Sequence, residues 1–158
     1  MALTKLDQLY RAVILDHSQS PRRRGVLDET TTQIELRNPT CGDVIQVQLN
    51  VQDGIVKDVR FDGSGCTISM ASASMMTEAI IGKPVEEALK LSEEFSQVVQ
   101  GNDVEHEQEL GDAMMLSGVS KFPARIKCAT LSWKALEKAL ASQGTGVDGQ
   151  LKHEDMTE

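Results

Sequence analysis

A chain of 158 residues, 40% hydrophobic and 25% charged, is about one domain long and can bury on the order of 70% of its unfolded surface. Its formal net charge of -8 disfavours nucleic acid or an anionic membrane as the main partner and leaves another protein, or a cation, as the better match. With no apolar run of bilayer length, no hydrophobic leader and an odd count of three cysteines, the expectation is a cytoplasmic protein without a disulfide framework.

Leu6, Leu9, Tyr10, Val13 and Ile14 recur at helical spacing and predict a short amphipathic helix that stops before Pro21. His17, at its end, reads as an imidazole that favours the helix dipole or meets solvent. Pro21-Arg22-Arg23-Arg24-Gly25 follows as a compact basic turn, either a solvated loop or a docking patch for an acidic partner surface. From Thr31 to Asp62 the period changes to two. Ile45, Val47, Leu49 and Val51 fall on one face, Asp53-Gly54 favours a type I′ hairpin turn, and Ile55, Lys57, Val59 and Phe61 continue the alternation on the return strand. With Gln33 to Arg37 as a third strand, the middle of the chain is a small antiparallel sheet.

After Gly63-Ser64-Gly65 the pattern turns helical through Ile68, Ala71, Met75, Ala79 and Ile80, and a short helix is expected to follow Pro84. Ser92 to Gly111 is polar and acidic around His106 and reads as loop mixed with a helix leading into Met114, Met115 and Leu116. Both His106 and His153 read as surface, and the methionines as core. Ile126, Ala129, Trp133, Leu136 and Leu140 mark a long final helix beyond Pro123, and the composition from Gln143 onward reads as a flexible tail. The fold class is therefore α+β, a three-stranded antiparallel sheet packed by helices in one domain over residues 1–142, with 143–158 as a tail.

The three thiols sit at element edges. Cys41 and Asp43 are two apart, and on extended chain their side chains would share a side and could chelate one ion. Cys66 is expected at the start of a helix and Cys128 in the opening turns of the last one, positions where the helix dipole favours thiolate. Three thiolates and a carboxylate suit tetrahedral zinc, or iron in a cluster. Cysteine is also a common buried residue and no CxxC pair is present, so spacing leaves ordinary packing open beside metal or sulfur chemistry. There is no Gly-rich nucleotide loop after a strand, no Ser-His-Asp set and no carboxylate pair placed for acid and base work.

Asn38-Pro39-Thr40-Cys41-Gly42-Asp43, then Gly63-Ser64-Gly65-Cys66 with Thr67-Ile68-Ser69 and Ala71-Ser72, then the stretch from Phe122 to Cys128, together resemble the IscU/NifU N-terminal family of iron-sulfur cluster assembly proteins. The likeness runs in order through most of residues 5–142. It implies that Cys41, Asp43, Cys66 and Cys128 bind zinc or a nascent iron-sulfur cluster. Where the IscU branch has a His before the last cysteine, this chain has Lys127, and the chaperone motif LPPVK is degraded to Phe122-Pro123-Ala124-Arg125-Ile126. The stretch between Cys66 and Cys128 is also longer, with Gly101 to Ser120 as the inserted region. These departures resemble the SufU branch, which implies zinc, a SufS-like cysteine desulfurase as sulfur donor, and downstream assembly or acceptor proteins. There Cys41 would accept the persulfide sulfur while Asp43, Cys66 and Cys128 hold zinc, and a desulfurase histidine would take the place of Cys41 on the metal. The alternatives are a scaffold for cluster assembly and a binding protein with only structural zinc. Four anionic ligands on one divalent cation leave a formal charge of about minus two, which Arg125 and Lys127 are placed to offset.

Overall fold

Alternating burial organises the centre of the chain in the computed structural model, which describes residues 5–39, 42–141 and 151–155. Strands Thr32–Asn38 (β1), Asp43–Gln52 (β2) and Ile55–Ser64 (β3) form the expected antiparallel sheet. Ile34 lies opposite Val47, and Val47 opposite Phe61, so the buried residues of the three strands line up across one face. Asp53 and Gly54 both have positive φ, 54° and 74°, as a type I′ turn requires.

The register of β3 differs from simple alternation. A bulge at Asn50/Val51 pairs Val51 with Val56 and Asn50 with Asp58. Val56 is therefore buried, while Lys57, expected on the face of Val59 and Phe61, points to solvent. The chain also returns to the sheet at Leu151–Asp155 (β4), parallel to β1, giving the order β3-β2-β1-β4. These five residues fall in the stretch that composition assigned to a tail, and they use the backbone groups that a strand edge offers.

Helices Lys5–Gln19 (α1), Thr67–Ile80 (α2), Val85–Val98 (α3) and Pro123–Ala141 (α5) pack around this sheet, with α5 lying on β1 and β2 and against α2. Trp133 of α5 stacks on Phe95 of α3 with ring centroids 4.4 Å apart and 11° between planes. The Trp133 Nε1–H donates to Ser72 Oγ at 3.1 Å, and Ser72 in turn donates to the carbonyl of Ala129, so α2 and α5 are joined by polar as well as apolar contact. The α3 helix is longer than expected. Leu91, Phe95 and Val98 continue its buried stripe through residues that look polar in sequence.

Between α3 and α5 the chain makes one short α-turn, Glu107–Leu110 (α4), then a 3-10 helix from Gly111 to Lys121. Ala113, Leu116 and Val119 are its buried residues, continuing from the buried Leu110 of α4, and their strict spacing of three suits a helix with three residues per turn. Among the described residues no helix is long and apolar enough to cross a membrane.

His17 is fully buried, contrary to its reading as a solvated helix end. Its Nδ1 is 2.8 Å from Ser74 Oγ on α2, and its Nε2 is 2.8 Å from Asp112 Oδ2 on the 3-10 helix. Ser74 Oγ also accepts the backbone N–H of Arg22 at 2.8 Å. One imidazole thus ties α1, α2 and the 3-10 helix together. His17→Ala leaves those groups with a missing partner and should lower the unfolding free energy by about 2–3 kcal/mol. Denaturant unfolding of the two proteins checks this, and equal midpoints would show that the network adds nothing to stability.

Candidate metal centre

Asp43 opens β2, opposite Asn38 on β1, and only 4% of it is exposed. The far end of β3 runs beside it, because Val44 pairs with Ser64. The approach is so close that a Cβ on Gly63, whose φ is +133°, would stand 2.1 Å from the Val44 carbonyl oxygen. Glycine there lets the chain pass β2 and deliver Cys66 to the N-cap of α2, with φ -72° and ψ 171°.

The Asp43 carboxylate then meets the first turn of α2. Its Oδ1 accepts the Cys66 backbone N–H at 3.2 Å and its Oδ2 accepts the Ser69 hydroxyl at 2.8 Å. The Cys66 Sγ is 3.8 Å from Asp43 Oδ2 and 3.4 Å from Ser69 Oγ. Cys128 comes from the second turn of α5 and is 1% exposed. One ligand atom from each of Asp43, Cys66 and Cys128 lies within 4.8 Å of the other two.

These donors fit a divalent ion. Zn–S of about 2.3 Å and Zn–O of about 2.1 Å in a tetrahedron place sulfur and oxygen about 3.6 Å apart, close to the Cys66–Asp43 separation. Two sulfurs and an anionic oxygen, drawn together with Asp43 and Cys128 buried and Cys66 part-buried, match the chemistry of zinc or of cluster iron.

Arg125, exposed in the first turn of α5, faces the sulfurs. Its guanidinium is held above its ordinary pKa, first by the hydrogen bond to Cys128 and then by the charges of Cys66 and Cys128. Lys127 is half-buried next to Cys128 in sequence. Cys41 lies outside the described residues. Its neighbour Gly42 has φ +79° and donates its N–H to the Asn38 carbonyl at 2.8 Å, so the chain turns there. The expectation that Cys41 and Asp43 share a side falls on Cys41 and so lies outside the described residues.

Two participants went unread in the sequence. Ser69 carried a signal, since it is a hydroxyl three residues beyond Cys66 at a helix start. Gly65 is the other, for a Cβ there would be 2.6 Å from Ser69 Oγ and 3.0 Å from Asp43 Cγ. His17, Glu78 and Asp112 also converge, but Arg22 Nε lies 4.0 Å from Glu78 and already supplies a cation at that place. His106, read as surface, is part-buried and hydrogen-bonded to Glu94, whose side chain is largely covered.

Residues 9–142 match the family model of the NifU-like N terminal domain. The chain is 55% identical over 141 residues to the zinc-dependent sulfurtransferase SufU of Bacillus subtilis, covering 89% of this chain and 95% of that one. It is 52% identical over 140 residues to the iron-sulfur cluster assembly scaffold protein IscU of Streptococcus pyogenes, covering 89% and 87%. Among solved structures, a candidate SUF-system iron-sulfur assembly scaffold from Fervidobacterium islandicum superposes with a TM-score of 0.76 at 34% identity, covering 81% of this chain and 93% of that one.

Proposed function

The chain belongs to the family of NifU-like N terminal domains, and from that premise we propose that it is a zinc-dependent sulfur acceptor of iron-sulfur cluster assembly. It would take persulfide sulfur from a cysteine desulfurase onto Cys41, in the cytoplasm, and pass it to downstream assembly proteins. The observation that carries the reading is the convergence of Asp43, Cys66 and Cys128, three parts of the ligand set, from three separate elements. The likeness to the Bacillus sulfurtransferase supports zinc as the ion.

Asp43, Cys66 and Cys128 would hold zinc, with Cys41 as the fourth ligand. Bound zinc keeps coordinated thiols deprotonated near neutral pH. The Cys41 thiolate, once free, attacks the outer sulfur of the partner's persulfide. A new S–S bond forms at Cys41, the partner's S–S bond breaks, and the partner's cysteine leaves as thiolate, so no outside oxidant is needed. Arg125, charged beside both sulfurs, offsets the anionic centre and is open to an incoming partner.

The test compares zinc-loaded wild type, Cys41→Ala and zinc-stripped protein as activators of a cysteine desulfurase. Wild type should raise turnover and gain one sulfur atom on Cys41 by mass spectrometry, while the other two leave turnover near that of the desulfurase alone. Equal stimulation by Cys41→Ala would remove Cys41 as acceptor. Likeness to an IscU scaffold supplies the second reading: if only cluster-loaded protein is active, in handing its cluster to an apoprotein, the scaffold role replaces sulfur transfer.

A further inference from the structure

We propose that Ser69 is a positioning residue that anchors Asp43, so that the carboxylate stays in place while ligand exchange falls on a thiolate. This rests on the zinc centre proposed above. Both oxygens of Asp43 are engaged by the first turn of α2, Oδ1 by the Cys66 N–H and Oδ2 by the Ser69 hydroxyl. A serine hydroxyl has one proton to give. Of its three neighbours, the Asp43 oxygen is nearest at 2.8 Å, against 3.3 Å for the Cys66 carbonyl and 3.4 Å for the Cys66 sulfur, and it alone is a carboxylate. A charge-assisted bond to that oxygen therefore takes the proton.

Three further observations support the anchor. Ser69 is fully buried, so water does not compete for its hydroxyl. Gly65 makes room for the pair, since a Cβ there would stand 2.6 Å from Ser69 Oγ and 3.0 Å from Asp43 Cγ, in the space that their bond occupies. Finally, the α2 N-cap makes no side-chain cap bond of its own and no acidic residue lies in the first turn. Asp43, reaching across from β2, supplies the acceptor and negative charge that this helix start lacks.

A carboxylate offers about four lone-pair sites, so Asp43 can be held by the helix and still ligate an ion. A ligand fixed by the protein remains within reach when another ligand departs. A centre that loses one thiolate during sulfur transfer is then retained by Asp43 and the other sulfurs. Ser69 would thus decide which ligand stays, without touching the persulfide.

Ser69→Ala and Ser69→Thr, purified as full chains, test this by zinc competition against a chelator and by the absorption spectrum of the cobalt(II)-substituted proteins. Ser69→Ala should bind zinc about 10- to 100-fold more weakly, the usual effect of removing a group that orients a ligand, and its ligand-field bands should shift. Ser69→Thr keeps the hydroxyl and should keep both the affinity and the spectrum. A purely structural serine would lower the melting temperature of the zinc-free protein and leave affinity and spectrum unchanged, which overturns the inference. So does a folded Ser69→Thr that loses zinc as readily as the alanine variant. These readouts need neither desulfurase nor persulfide, so their failure leaves sulfur acceptance at Cys41 standing. A wild type that holds no zinc overturns the proposed function and this inference together.

Discussion

Cys128→Ala is expected to purify folded but without zinc. The residue is 1% exposed in the second turn of α5, and its sulfur is one of three donor atoms gathered within 4.8 Å. Removing a group that merely orients a ligand costs about 10- to 100-fold in metal affinity, and removing the ligand itself should exceed that range. The small side chain sits beside β2 and α2, so its loss should cost the fold only on the order of 1 kcal/mol. Metal analysis after dialysis, read beside circular dichroism, separates the two effects. The same variant should lose the rise in melting temperature that added zinc gives the wild type, because a ligand stabilises only the state that binds it. Zinc retained at the wild-type level would place the centre elsewhere.

Trp133→Ala should be the most damaging core substitution. Replacing a buried tryptophan with alanine typically costs about 3–5 kcal/mol, a large share of the roughly 5–15 kcal/mol by which domains are stable. Here the ring also stacks on Phe95 and its N–H reaches Ser72, which bonds onward to the Ala129 carbonyl. Trp133→Phe keeps an aromatic ring against Phe95 and loses the donor, so it should fall well short of the alanine cost. Because Ser72 lies six residues after Cys66 on α2 and Ala129 adjoins Cys128 on α5, zinc affinity should fall along with stability in the alanine variant. Urea unfolding and a chelator titration on the same preparations test both, and an unchanged affinity in a destabilised protein would uncouple the core from the centre.

The hairpin of β2 and β3, the final helix and the helix carrying Cys66 were legible in sequence because each repeats an apolar period over ten or more residues. What escaped had no local period. The bulge that turns Lys57 outward depends on how one strand pairs with another. The burial of His17 depends on Asp112, 95 residues away. The extension of α3 through Ser92 to Val98 was masked by polar residues between Leu91, Phe95 and Val98. Spacing alone left the thiols undecided, whereas the folded chain brings Cys66 and Cys128 to one carboxylate. Ser69 was visible three places from Cys66, but its acceptor comes from a strand 26 residues earlier.

The separation of Asp43, Cys66 and Cys128 along the chain also fixes an order of events in the life of the protein. Cys66 and Cys128 are too far in sequence from Asp43 and from each other to join it on an ion in an unfolded chain. A newly synthesised molecule must first pair β2 with β3 and dock α5 on the sheet before a three-donor chelate exists. In the proposed zinc protein, loading would follow folding, and heat that separates α2 from α5 would release the ion.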